Sequence, residues 1–122
     1  MKKIFIIEDN DSNYMLLDEI LSAYNVELTR AEDGKRFYSI LQDKTNKFDL
    51  ILMDLMLPDT DGIVLTKHLI NEKVKTPIIF ISAYTEKCEE IFDLGIEHFI
   101  TKPVMEELFL SIVRKYIDFE SK

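Results

Sequence analysis

The sequence predicts an α/β domain: an open parallel sheet with helices on both faces. Three observations carry this. Short apolar runs alternate five times with segments of helical spacing, the pattern of strand–helix crossovers. Most of the runs are unbroken, as strands covered on both sides are. Punctuation agrees: Gly34, Gly62 and Gly95 fall in the expected connections, and Pro77 stands where a strand begins.

In chain order, the first strand is Ile4–Ile7. Leu16, Leu17, Ile20, Leu21 and Tyr24 then share one helix face. The stretch "VELTRA" (26–31) alternates like an edge strand. Phe37, Tyr38, Ile40 and Leu41 make a less regular helical stripe. Phe48–Met53 is the third strand, followed by the helical set Val64, Leu65, His68 and Leu69. Ile78–Ile81 and Phe99–Ile100 are the last strands, separated by Cys88, Ile91 and Phe92. Leu108, Phe109, Ile112, Val113, Tyr116 and Ile117 close the chain as a helix. No repeat, low-complexity segment or linker interrupts the series, so residues 1–122 read as one domain.

Composition narrows the function. Hydrophobic residues make up 47% of the 122, enough for a real core. Asp and Glu number 23 against 15 Lys and Arg, a net charge of −8. That balance argues against direct nucleic-acid binding, which rests on cationic contacts to phosphate. The opening "MKKIFII" is too short for a signal-peptide core and stops at Glu8 and Asp9. Nothing approaches the roughly 20 apolar residues of a membrane span. A single cysteine, Cys88, cannot form an internal disulfide. A reducing, cytoplasmic setting is expected, with no membrane partner.

The strand ends share a chemistry. They finish in Glu8 and Asp9, in Asp54, in Ser82, and in Thr101 and Lys102 before Pro103. In a doubly wound sheet, ligands bind beyond the carboxyl ends of the strands, where strand order reverses. These residues are therefore expected to converge. Three carboxylates at ~5 Å and an effective dielectric of ~20 repel by roughly 3 kcal/mol per pair. Lys102 is one charge against three. A hard divalent ion is the remedy, and Mg²⁺ suits few carboxylates, a carbonyl such as that of Met56, and open positions for water or phosphate; Mn²⁺ fits the same oxygens. Lys102 and Ser82 remain to hold an anion. This set is what phosphoryl transfer to Asp54 as nucleophile requires.

The pieces "IIEDN" (6–10), "LILMDLMLPDTDG" (50–62), "IIFISAY" (78–84) and "HFITKP" (98–103) together resemble the receiver domains of two-component response regulators, of the single-domain chemotaxis-regulator type. The resemblance implies a flavodoxin-like five-stranded sheet in the order 2-1-3-4-5. It implies that Asp54 accepts a phosphoryl group from a phosphohistidine on a histidine kinase or phosphotransfer protein. Asp9, Asp54 and the Met56 carbonyl would bind Mg²⁺ directly, and Glu8 through water. Lys102 would pair with the phosphoryl oxygens, and Ser82 would move to hydrogen-bond them. Phe99 would turn inward in response, and the Lys102–Pro103 peptide would be cis. Two positions depart from the commoner pattern: Glu8 stands for Asp, and Phe99 for Tyr.

Implied, then, is a signalling switch that catalyses only its own phosphorylation and dephosphorylation, with no external substrate. Its target would dock on the face of the fourth helix, fifth strand and fifth helix, including Tyr84, Ile91, Phe99 and the segment Met105 to Phe119. The start "EDN" with Asn13 resembles receivers attached to hybrid kinases. Met56 and Tyr84, each two residues past Asp54 and Ser82, are expected to shield an acyl phosphate.

Competing readings are weaker. A receiver-like docking module working without phosphate would be expected to have lost Asp54, the acid pair or Lys102. A flavin carrier would not place "EDNDSN" at its phosphate loop, and a phosphatase of the haloacid dehalogenase type would need an acid at Met56. Asp59 and Asp61 read as residues of the turn that cap the helix after Gly62. His68 and His98 read as structural or exposed, and Cys88 as a small core residue.

Overall fold

The computed structural model describes residues 1–122. Five strands, β1 (Lys2–Ile7), β2 (Val26–Ala31), β3 (Leu50–Met53), β4 (Ile78–Ser82) and β5 (His98–Thr101), alternate with five helices, α1 (Asp11–Leu21), α2 (Gly34–Gln42), α3 (Gly62–Asn71), α4 (Cys88–Asp93) and α5 (Glu106–Val113). The sheet order is β2-β1-β3-β4-β5, and every neighbouring pair is parallel. This is the flavodoxin-like order expected, with "VELTRA" at one edge.

Period-two alternation splits the core into two layers. Ile4, Ile6, Leu50, Leu52, Ile79, Ile81 and Ile100 face α1 and α5. Phe5, Ile7, Ile51, Met53, Phe80 and Phe99 face α2, α3 and α4. β1, β3 and β4 are apolar over Ile4–Ile7, Leu50–Met53 and Ile78–Ile81 because both of their faces are covered there, while the edge strand β2 carries Glu27, Thr29 and Arg30.

Several boundaries differ from the sequence reading. β1 begins at Lys2, since its ladder to β2 needs only backbone atoms. Phe48 lies outside β3 but stacks on Phe5 with ring centroids 4.5 Å apart. Tyr24, Tyr116 and Ile117 lie beyond their helices, in the turns that follow. They stay apolar because that end of the core still has to be covered: Tyr24 meets Phe119 edge to face at 5.0 Å. Gly34 and Gly62 are the first residues of α2 and α3, not members of the connections. Cys88 is the half-buried first residue of α4, outside the core.

Gly62 sits there because space forbids anything larger. A Cβ at this position would lie 2.3 Å from the Asp54 carbonyl oxygen and 2.9 Å from both Met53 Cγ and Phe80 Cε2. The start of α3 thus presses on the backbone of Asp54. Gly95 is different: its φ of +95° is the constraint, with open space around it. Gly62→Ala is expected to destabilise the domain by about 2 kcal/mol through overpacking, and Gly95→Ala by about 1 kcal/mol through backbone strain alone. Urea midpoints compare the two; a Gly62→Ala protein as stable as wild type would refute the close approach.

Candidate phosphoryl-acceptor site

Backbone hydrogen bonding delivers the acids to one edge. The Asp54 N–H donates to the Ile7 carbonyl at 3.0 Å, and the Glu8 N–H to the Ala31 carbonyl at 3.0 Å. The ends of β1, β2 and β3 are therefore level. On the far side, the Lys102 N–H donates to the Ser82 carbonyl at 3.0 Å, aligning β4 and β5. Glu8, Asp9, Asp54, Ser82 and Lys102, spread over most of the chain, meet at the carboxyl edge.

Carboxylate oxygens of Glu8, Asp9 and Asp54 lie within 4.8 Å of one another. Glu8 and Asp54 are buried, at 2% and 6% exposure, while Asp9 faces solvent. Lys102 bridges the two buried acids: its Nζ lies 2.7 Å from Glu8 Oε1 and 3.0 Å from Asp54 Oδ2. The other Glu8 oxygen accepts from the Asn10 N–H at 3.2 Å. The Lys102–Pro103 peptide is cis.

One ammonium cannot balance this cluster. Burial pushes the Glu8 carboxyl up from 4.5 to about 7; its bond to Lys102 opposes the rise, and Asp54 adds to it. Burial also pulls on the Lys102 ammonium, but its hydrogen bonds to Glu8 and Asp54 more than reverse that and hold it above its ordinary value. Burial is thus the main reason Glu8 resists ionising, and Lys102, shared with Asp54, offsets it only in part.

The donor set fits a hard divalent cation. Three carboxylates lie close enough to share one ion. A fourth oxygen is available: Met56 and Asp61 form a narrow antiparallel bridge closed by Leu57 N–H to Thr60 O at 3.3 Å and Gly62 N–H to Leu55 O at 2.8 Å. That bridge leaves the Met56 carbonyl with no partner in the protein.

The other expected residues take varied positions. Ser82 is fully buried, and its Oγ accepts from the Tyr84 N–H at 3.2 Å. Phe99 is half-buried and stacks on Phe80 at 6.3 Å. Met56 and Tyr84 are 48% and 50% exposed. Ile91 is fully buried, so it cannot belong to an outward docking face; its neighbour Phe92 is exposed there. Asp61 caps α3 through the Val64 N–H at 2.9 Å. Asp59 instead takes the Gly34 and Lys35 N–H groups at the start of α2, at 2.8 and 3.0 Å. His68 packs on Tyr38, and His98 bonds the Tyr116 hydroxyl; both are half-buried and away from the acids.

Sequence reasoning missed Arg30. Its guanidinium holds the backbone carbonyls of Glu8 and Asp9, at 3.0 and 3.2 Å. No local signal marks it, because the contact exists only once β2 lies beside β1.

Residues 4–114 match the family described as "Response regulator receiver domain". Alkaline phosphatase synthesis transcriptional regulatory protein PhoP of Bacillus subtilis (strain 168) is 34% identical over 104 residues, 84% of this chain but only 42% of that protein. The chain thus spans less than half of that relative. Polar-differentiation response regulator DivK of Brucella anthropi is 31% identical over 120 residues, 95% of this chain and 96% of that one. The non-phosphorylated HemR receiver domain from Leptospira biflexa superposes with a TM-score of 0.84 at 26% identity, covering 100% of this chain and 98% of that one. No helix here is long and apolar enough to cross a membrane.

The raised Glu8 carboxyl sets a pH dependence. In metal-free solution both folded and unfolded chains hold this proton below about 4.5, where its contribution to stability is complete. Between about 4.5 and about 7 the unfolded chain releases it first, so stability falls as pH rises, and the contribution is gone above about 7. Melting midpoints in chelator across this window should show that fall for wild type and a flatter profile for Glu8→Gln; parallel profiles would rule Glu8 out.

Proposed function

The chain belongs to the response regulator receiver family, whose work is phosphorylation-dependent signalling, and on that premise we propose that it is a switch phosphorylated on Asp54. The observation that carries this is the unbalanced acid cluster around Lys102 at the strand ends. A carboxylate oxygen of Asp54 attacks phosphorus in a phosphohistidine of a histidine kinase or phosphotransfer protein. The new O–P bond forms as the N–P bond breaks, and the imidazole nitrogen keeps the electron pair. Asp9, Asp54 and the Met56 carbonyl would hold Mg²⁺, with Glu8 reaching it through water, and the ion would supply charge neutralisation for the transferring group; Mn²⁺ would fit the same oxygens. Lys102 gives up its share of Asp54 and pairs with a phosphoryl oxygen. Ser82 gives up its contact with Tyr84 to donate its hydroxyl to another.

The readout is a change in packing. Phe99 and the α4–β5–α5 face, where Tyr84, Phe92, Met105 and Leu108 are exposed, repack when Ser82 moves. A target protein that prefers one packing is thereby selected, since only differential affinity transmits a signal. We assign the whole described chain, 1–122, to one receiver unit acting in the cytoplasm, with no turnover of an external substrate and no direct contact with nucleic acid.

Incubation with Mg²⁺ and acetyl phosphate, followed by intact mass, should add one phosphoryl group. Asp54→Asn and omission of Mg²⁺ should both abolish the gain. A folded, Mg²⁺-binding protein that stays unmodified by this donor and by a phosphorylated phosphotransfer domain would overturn the proposal. The same assay times the loss of phosphate. Met56→Asn with Tyr84→Glu should hydrolyse several-fold faster than wild type, because bulky side chains give way to groups that orient water; an unchanged lifetime would remove their shielding role.

A further inference from the structure

We infer that Arg30 is a positioning residue for the metal-binding acids, fixing the backbone from which Asp9 projects. The inference rests on the function proposed above. Arg30 is the penultimate residue of β2, paired in register with Ile6 of β1. Its side chain reaches across the strand ends into the β1–α1 connection. Nε donates to the Glu8 carbonyl at 3.0 Å, and one terminal nitrogen to the Asp9 carbonyl at 3.2 Å. The other terminal nitrogen lies 2.8 Å from Asp11 Oδ1. The flat face of the guanidinium covers the Tyr14 ring, 4.8 Å from its centroid. Every nitrogen of the fork is engaged.

Asp9 depends on this clamp more than its neighbours do. Glu8 is anchored by Lys102 and by the Asn10 N–H. Asp54 is anchored by Lys102 and the β3 ladder. The Asp9 carboxylate faces solvent with no hydrogen bond or ion pair of its own. Holding the Glu8 and Asp9 carbonyls fixes the Glu8–Asp9 and Asp9–Asn10 peptide planes that flank the Asp9 Cα, and with them the direction of its side chain. That direction keeps an Asp9 oxygen within 4.8 Å of Glu8 and Asp54. The pairing with Asp11, whose side chain is 85% exposed, is screened by water and contributes little.

Charge and geometry predict opposite signs, which makes the inference testable. A guanidinium beside a cation site repels the cation, so if only charge mattered its removal would tighten Mg²⁺ binding. If it orients a ligand, removal weakens binding, by about tenfold for partners that support metal ligands. The test is an MgCl₂ titration of the full chain followed by amide chemical shifts, on wild type, Arg30→Met and Arg30→Lys, with melting midpoints in chelator alongside. The expected result is a Kd about tenfold weaker in both variants, because an ammonium cannot span two carbonyls as the fork does. A purely structural role would lower the melting midpoint and leave the Kd in place. Unchanged or tighter binding in Arg30→Met, or wild-type binding in Arg30→Lys, would overturn the inference; Arg30→Lys decides alone if Arg30→Met does not fold. Wild type that binds no Mg²⁺ would instead bring down the functional proposal, and this inference with it.

Discussion

Lys102 is shared between two buried carboxylates, 2.7 Å from Glu8 and 3.0 Å from Asp54. Everything else at the carboxyl edge follows from the shortfall in that arrangement. Two acids compete for one cation with a third acid nearby, in a place too dry to screen them. A protein selected only for stability would replace one acid with an apolar or amide side chain. Keeping all three leaves the edge poised to accept positive charge. On the proposed function, a divalent ion entering there would gain more than at an ordinary surface cluster and would free Lys102 for an anion.

The rest of the fold supports that edge. Both core layers rest on the central strands β1, β3 and β4, whose apolar runs give way to polar residues where they emerge at the carboxyl edge, so the sheet is a rigid base with its chemistry at the rim. Loops are tied down where they approach the rim. Gly62 brings α3 against the Asp54 backbone, and the Leu55–Gly62 loop closes on itself, leaving the Met56 carbonyl free. Asp59, at the tip of that loop, takes two N–H groups at the start of α2. On the opposite side Arg30 grips the β1–α1 connection. Such anchoring keeps flexible connections from spreading apart under mutual repulsion.

Much of this was legible in the chain. Unbroken apolar runs ending in Glu8, Asp54 and Ser82 disclosed both the strands and the edge they share, because burial on two faces tolerates polarity only where a strand emerges. Spacing could not disclose contacts made across the topology. Arg30 reads as an ordinary edge-strand arginine until β2 is placed beside β1, and Asp59 reads as a turn residue until α2 is docked. Helix ends were blurred for a related reason: Tyr24, Tyr116 and Ile117 keep the apolar pattern going past α1 and α5 because the turns there cover the same core. Ile91 was misplaced because a helix as short as α4 has too few residues for periodicity to separate its inner face from its outer one.

The proposed function requires that the carboxyl edge carry surplus negative charge for a divalent cation to neutralise. Heat-denaturation midpoints of wild type and Asp54→Asn, in chelator and in MgCl₂ at matched ionic strength, test it most directly. Asp54→Asn should be the more stable protein without metal, since it relieves the repulsion. Mg²⁺ should raise the wild-type midpoint much more than that of the variant. An Asp54→Asn protein less stable than wild type in chelator, with neither protein responding to Mg²⁺, would contradict the account and make the Asp54–Lys102 pair a structural ion pair.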